Sequence, residues 1–153
     1  MKNLKYTDMA ELLPHKPPMI FIDGVAEYDL NLRTAAAYFT VSKESHFFDP
    51  SAGGAPSWTG IEYMAQAIGV LAGINALENG RAPTLAFLLG ARLYEAHVDF
   101  FLLNRRYDVH VSENFAELEL GNYRCAIYND GFLCAEADMS TYLPTDIQRI
   151  YNL

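Results

Sequence analysis

The sequence predicts an α+β fold in which a strongly twisted antiparallel sheet wraps around one long central helix. Three observations lead there. The helical pattern from about 57 to 79 is apolar nearly all round, with Trp58, Ile61, Met64, Ile68, Leu71, Ile74 and Leu77, so this helix must be surrounded rather than lie on a surface. Two strand-like runs precede it, and everything after Pro83 reads as four or five further strands. Ala116, Leu118 and Leu120 alternate with Glu117 and Glu119, the period-two signature of a half-solvated antiparallel strand.

Taken in order, Asp8 with Glu11 three residues on makes a capped start for a short helix through Leu13. Pro14 and the pair Pro17-Pro18 stop it. Met19 to Val25 and Thr34 to Val41 are apolar, aromatic and β-branched runs expected to be strands. The loop from Ser45 to Ser57 carries Pro50, Gly53, Gly54 and Pro56, and Ser57 is a suitable N-cap for the long helix. Asn79-Gly80 supplies its C-terminal stop. Thr84 to Leu89 is a continuous apolar strand, and Gly121-Asn122 and Asn129-Asp130-Gly131 are expected hairpin turns. In the last strand Leu133, Ala135, Ala137 and Met139 alternate with Cys134, Glu136 and Asp138.

The 153 residues fit one domain, 1–153, with no repeat or linker, and 51% hydrophobic content is enough to bury a core without staples. A net charge of −8 argues against nucleic acid, which needs a basic face. Residues 1–11 lack the apolar core of a secretory signal. Glu62, Gln66 and Asn75 interrupt the most hydrophobic segment, which falls short of the ~20 clean apolar residues of a membrane span. The expected location is cytoplasmic, without membrane contact. There Cys125 and Cys134 would be reduced thiols in neighbouring strands.

Glu62 stands out chemically. It falls in the first turns of the most apolar helix, on a face shared with Gln66 and Gly69. The helix dipole there favours the carboxylate, whereas burial would favour the acid, so a buried Glu62 could be tuned for proton transfer. An exposed Glu62 would simply stabilise the helix start. The glycine-containing loop before it presents free backbone N–H groups able to hold an oxyanion. Of the histidines, His97 and His110 are expected on the solvated sides of strands and His15 at the start of the sheet. His46 lies 16 residues before Glu62, so folding could bring the two together. No spacing of His, Cys and Asp suggests zinc and no Gly-Lys loop suggests a phosphate, so neither metal nor cofactor is expected.

Leu13-Pro14-His15-Lys16-Pro17-Pro18-Met19-Ile20-Phe21-Ile22-Asp23 resembles the opening of the β-hydroxyacyl-(acyl carrier protein) dehydratases of the FabA/FabZ type. Pro56 through Glu62-Tyr63-Met64-Ala65-Gln66-Ala67 resembles their central helix, Phe87-Leu88-Leu89-Gly90 the following strand, and Asp130 to Ala137 the last strand. Pro-Ser-Trp-Thr-Gly-Ile-Glu-Tyr-Met-Ala-Gln is most similar to the divergent branch found in aryl polyene pigment clusters. The resemblance implies a hot-dog fold and a dimer. It implies removal of water from a carrier-bound 3-hydroxyacyl thioester to give a trans-2-enoyl thioester, as in fatty acid or polyene synthesis. It also implies a histidine that takes the α-proton and a carboxylate from the other subunit that assists loss of the hydroxyl.

On this pattern Glu62 falls on the catalytic carboxylate, Ser57 on the glycine whose amide polarises the thioester, and Pro56 and Gln66 on flanking substrate-binding positions. His46 falls on the catalytic histidine if the loop carries two extra residues; counted without a gap, Phe48 stands there. The alternatives are an impaired subunit paired with an active homologue, or a hot-dog thioesterase. An acidic carrier needs a local basic patch on an acidic enzyme, for which Arg105, Arg106, Arg81 and Arg92 are the candidates.

Overall fold

A computed structural model describes residues 6–84 and 86–144. Residues 1–5 of the polar N-terminal segment, and residue 85 of the strand expected over 84–89, lie outside the described residues. One six-stranded antiparallel sheet runs in the order β1-β2-β6-β7-β8-β4. Its strands are β1 (Gly24–Asp29), β2 (Thr34–Thr40), β4 (Phe87–Ala96), β6 (Arg106–Glu117), β7 (Leu120–Asn129) and β8 (Phe132–Tyr142). Two short strands, β3 (Gly54–Pro56) and β5 (Phe100–Leu102), pair separately. The sheet curls around α1 (Gly60–Glu78).

The core lies between helix and sheet. Met64, Ala67, Val70 and Ile74 of α1 are fully buried, as are Phe39, Val109, Ile127 and Met139 of the strands. Trp58 is the exception to the all-round apolar helix: it is 65% exposed, because it precedes α1 and projects beside Phe47 rather than into the core. Asp8 caps a short 3-10 turn (Met9–Glu11) by accepting from the Ala10 N–H. That turn sets Leu12 and Leu13 onto α1, where a Cβ on Gly73 would run into the Leu12 carbonyl. Gly73→Ala is therefore expected to cost about 1–3 kcal/mol, seen as a lower Tm; an unchanged Tm would show that the two elements part easily.

Three expectations need correction. The run Met19–Val25 becomes a strand only from Gly24. The N–H groups of Phe21 and Ile22 are taken by the Gln66 side chain instead of a neighbouring strand. The first hairpin turn after α1 is at Leu118-Glu119, not Gly121-Asn122. Gly121 sits inside β7, paired with Ala116 and Thr141, and its lack of a side chain makes room for Tyr123 and Thr141. The third concerns the start of the helix. Ser57–Thr59 form a 3-10 turn ahead of α1, and Ser57 makes no side-chain cap.

The Asp130-Gly131 turn is as expected, both residues having positive φ (47° and 79°). Alternation along β8 holds from Ala135 onward. A register shift at Ile127/Tyr128 reverses its phase at the near end, so Cys134 turns inward. Cys125 and Cys134 are buried free thiols, and burial pushes Cys125 up to about 12.

Candidate active site

The start of α1 is held from several sides. Pairing of β3 with β5 delivers the chain to Pro56, whose carbonyl accepts from the Thr59 hydroxyl at 2.6 Å. The Ser57 carbonyl accepts from the Gly60 N–H and from the Tyr94 hydroxyl, anchoring the turn to β4. The Ser57 N–H, expected to be a free donor, is engaged: it donates to the Asp99 carbonyl at 2.9 Å. Trp58 offers the next amide of this turn, at the end where helix N–H groups lack internal partners.

Glu62 follows in the first turn of α1. It is exposed in the single chain rather than buried, and no hydrogen bond or ion pair among the described residues engages its carboxylate. It stands at the mouth of a cavity of about 250 Å³, whose walls include His15, Gln66, Ile68, Phe87 and Leu88. An unpaired carboxylate against apolar walls can exchange a proton with a bound molecule, provided something closes the mouth.

Tyr63, the next residue, faces the other flank of the helix. It lines a second cavity of about 300 Å³ with His46, Phe21, Phe39 and Asp23. His46 is exposed and lies against Phe21 and Phe47, with ring centroids 5.4 and 4.9 Å away. Tyr63 stacks on Phe39 at 3.6 Å; burial, with the Asp23 charge second, pushes its hydroxyl up to about 12, so it stays protonated. Asp23 accepts from the Thr40 N–H at 2.6 Å, and its carboxyl is raised because desolvation outweighs that bond. Within one chain, then, Glu62 and His46 open into different cavities. His15 shares the Glu62 cavity, and the carboxylates of Asp23 and Glu44 share that of His46. Sequence reasoning had not singled out Asp23; its place at the end of the Phe21-Ile22-Asp23 run was the only signal.

Gln66 is 3% exposed and its side chain is committed to the fold. Its Oε1 accepts from Phe21 N–H (2.7 Å) and Ile22 N–H (3.3 Å), and its Nε2 donates to the Met19 carbonyl (2.6 Å). It ties the segment 19–22 to α1 and so separates the two cavities.

The four arginines do not form one patch. Arg105 and Arg106 lie together at the start of β6, where Arg106 pairs with Asp108 and covers the Tyr38 ring at 3.9 Å. Arg81 follows α1 and lines a cavity with Ala116 and Leu118, at the opposite end of β6. Arg92 is exposed on β4, in register with Asp138. His97 lies just past β4 near Glu136 (4.0 Å), and His110 is exposed on β6 with its ring edge-on to Tyr128. Among the described residues no group of three His, Cys, Asp or Glu could hold a metal, and no helix is long and apolar enough to cross a membrane.

A sheet curled round one helix, with a carboxylate at the helix start over an apolar cavity, places the protein among the hot-dog folds. It belongs to the ApeP dehydratase family, whose model matches residues 7–152. A chain of the dehydratase heterocomplex ApeI:P from Xenorhabdus doucetiae superposes with a TM-score of 0.88 at 28% identity, covering 97% of this chain and 98% of that one. The 3-hydroxyacyl-[acyl-carrier-protein] dehydratase FabZ of Chlamydia trachomatis is 42% identical over 86 residues, which are 54% of this chain and 56% of that protein. The chain thus spans about half the length of that relative. FabZ of Rhizobium etli is 27% identical over 139 residues, 90% of this chain and 87% of its own. Thioesterase-like structures, such as one from Ralstonia eutropha at 13% identity and a TM-score of 0.61, share the fold alone.

Proposed function

We propose that this protein is a 3-hydroxyacyl-(acyl carrier protein) dehydratase acting as one 1–153 domain in the cytoplasm. The observation that carries this is Glu62, a carboxylate unpaired among the described residues, at the mouth of an apolar cavity and at the start of a buried helix. Family membership and the FabZ relatives support the same chemistry.

In the reaction an imidazole takes the α-proton of the thioester. The electron pair left behind forms the double bond, and the β-hydroxyl leaves as water with a proton from the Glu62 carboxyl. Charge passing through the thioester oxygen is held by a backbone amide at the helix start, and Trp58 supplies it because the Ser57 N–H is engaged. His46 is the base. Its alignment requires two extra loop residues, and the backbone supports this: Asp49 bridges Gly54, so residues 50–53 loop out as a self-contained turn.

Because one chain points Glu62 and His46 into different cavities, the working site combines His46 of one chain with Glu62 of another. Strand β4 is the surface for such pairing. It is the last strand of the sheet, and Phe87, Leu88, Leu89 and Leu93 on it are 36–76% exposed, the first two lining the Glu62 cavity. The second chain is a copy of this one or a homologous dehydratase, an arrangement supported by the heterocomplex neighbour. Arg105 and Arg106 are the docking candidates for the acidic carrier.

The test is to incubate the purified protein, alone and with a homologous dehydratase, with a carrier-bound 3-hydroxyacyl thioester. Loss of one water, read by mass spectrometry, is expected. Turnover only in the mixture would identify a partner subunit, and release of free thiol would replace dehydration by thioester hydrolysis.

A further inference from the structure

The peptide group that offers the Trp58 N–H is held at its other end. Its carbonyl is that of Ser57, which accepts from the Gly60 N–H and from the Tyr94 hydroxyl. In a planar trans peptide the C=O and the N–H point in opposite directions, so fixing the oxygen fixes the line along which the amide points. Among the described residues the Trp58 N–H has no acceptor, whereas the amide before it donates to Asp99. A donor on the carbonyl also draws charge across the peptide bond and strengthens the N–H as a donor.

Three local features serve this one contact. Strand β4 is irregular where it passes the helix start: between the pairs Arg92–Asp138 and Glu95–Glu136, two residues stand opposite one. There Leu93 adopts φ 54°, a region that branched side chains seldom enter, and the extra residue turns Tyr94 toward α1. Gly60, the first residue of α1, admits the hydroxyl, because a Cβ at that position would collide with the Tyr94 Oη. Burial pushes the phenol up to about 12, so it remains a donor at neutral pH.

We propose that Tyr94 is a positioning residue for the dehydration: through the Ser57 carbonyl it aims and polarises the Trp58 amide that holds the thioester oxygen. Tyr94 acts through the peptide, not on the substrate. This role rests on the dehydratase function proposed above and adds the group that readies its oxyanion donor.

Tyr94→Phe removes the hydroxyl and keeps the ring. With a carrier-bound 3-hydroxyacyl thioester, kcat should fall about 10–100-fold, part of the 10²–10³-fold that a whole oxyanion donor carries, while KM stays unchanged. Exchange of the α-protons of a saturated acyl thioester in deuterium oxide, which needs the same donor but no β-hydroxyl, should slow in parallel. In the protein without substrate, the Trp58 ¹⁵N resonance should move upfield, because its peptide carbonyl has lost a donor. Gly60→Ala should lower kcat by a similar factor by pushing the hydroxyl off the carbonyl. In the Tyr94→Phe background, where the methyl has room, it should cost nothing further. Equal kcat in Tyr94→Phe and wild type, a rise in KM alone, an unmoved Trp58 resonance, or additive losses in the double variant would overturn the proposal and leave the dehydratase function standing. Exchange that depends on Tyr94, with no dehydration by the wild type, would do the reverse. Neither reaction in the wild type, alone or with the homologous dehydratase, would remove both.

Discussion

Replacing Glu62 with Gln should lower the rate of enoyl thioester formation by two orders of magnitude or more while leaving the Tm within a degree or so. The size follows from general acid catalysis, worth about 10²–10⁴-fold: the amide keeps the shape of the carboxyl and loses its proton. The unchanged Tm follows from its surroundings, because the side chain is exposed and makes no hydrogen bond or ion pair among the described residues. Rates are read by mass spectrometry on the assembled protein, and stability by calorimetry. Near-normal turnover in Glu62→Gln would remove this residue from the chemistry. A large drop in Tm would show instead that the loss was structural.

Gln66→Leu should do the opposite, striking stability first. The substitution keeps the volume but removes three hydrogen bonds and leaves the Phe21 and Ile22 N–H groups without an acceptor, the latter fully inside. Each orphaned buried donor costs about 1–3 kcal/mol, so a total near 3 kcal/mol is expected. For a domain of this size that lowers the Tm by about 6–12 °C. Loosening should be greatest at Met19–Asp23, read as faster amide exchange there. Protection equal to wild type in that segment would mean that packing of Ile22 alone holds it down.

These two residues also mark where the sequence was readable. Features governed by local chemistry were legible: the Asp8 cap, the Asp130-Gly131 turn, and a helix too apolar to sit on a surface. What escaped depended on distant partners. Gln66 is 44–47 residues from the groups it bonds, and the family resemblance suggested a substrate role instead. Met19–Asp23 has strand composition, but a side chain satisfies its backbone. The Leu118 turn places leucine at φ 56°, where turn chemistry favours glycine or asparagine, so the nearby Gly121-Asn122 pair was the misleading cue. The arginines were gathered by likeness of residue type, while the antiparallel course of β6 sends Arg81 and Arg106 to opposite ends. His46 and Glu62 were drawn together by their spacing, yet they line different cavities of one chain.

The two margins of the six-stranded sheet have further consequences for assembly. The β4 margin exposes Phe87, Leu88, Leu89 and Leu93. The β1 margin carries Glu27 and Asp29 and is kinked by a register shift at Val25/Glu27. In the language of polymer chemistry, the β4 pairing proposed above would make each chain monofunctional. Once two β4 strands have joined, only acidic, irregular margins face outward, on a molecule whose net charge is already −8 per chain. Growth by strand addition would then terminate at a pair, leaving an open-ended fibre no second reactive end from which to propagate.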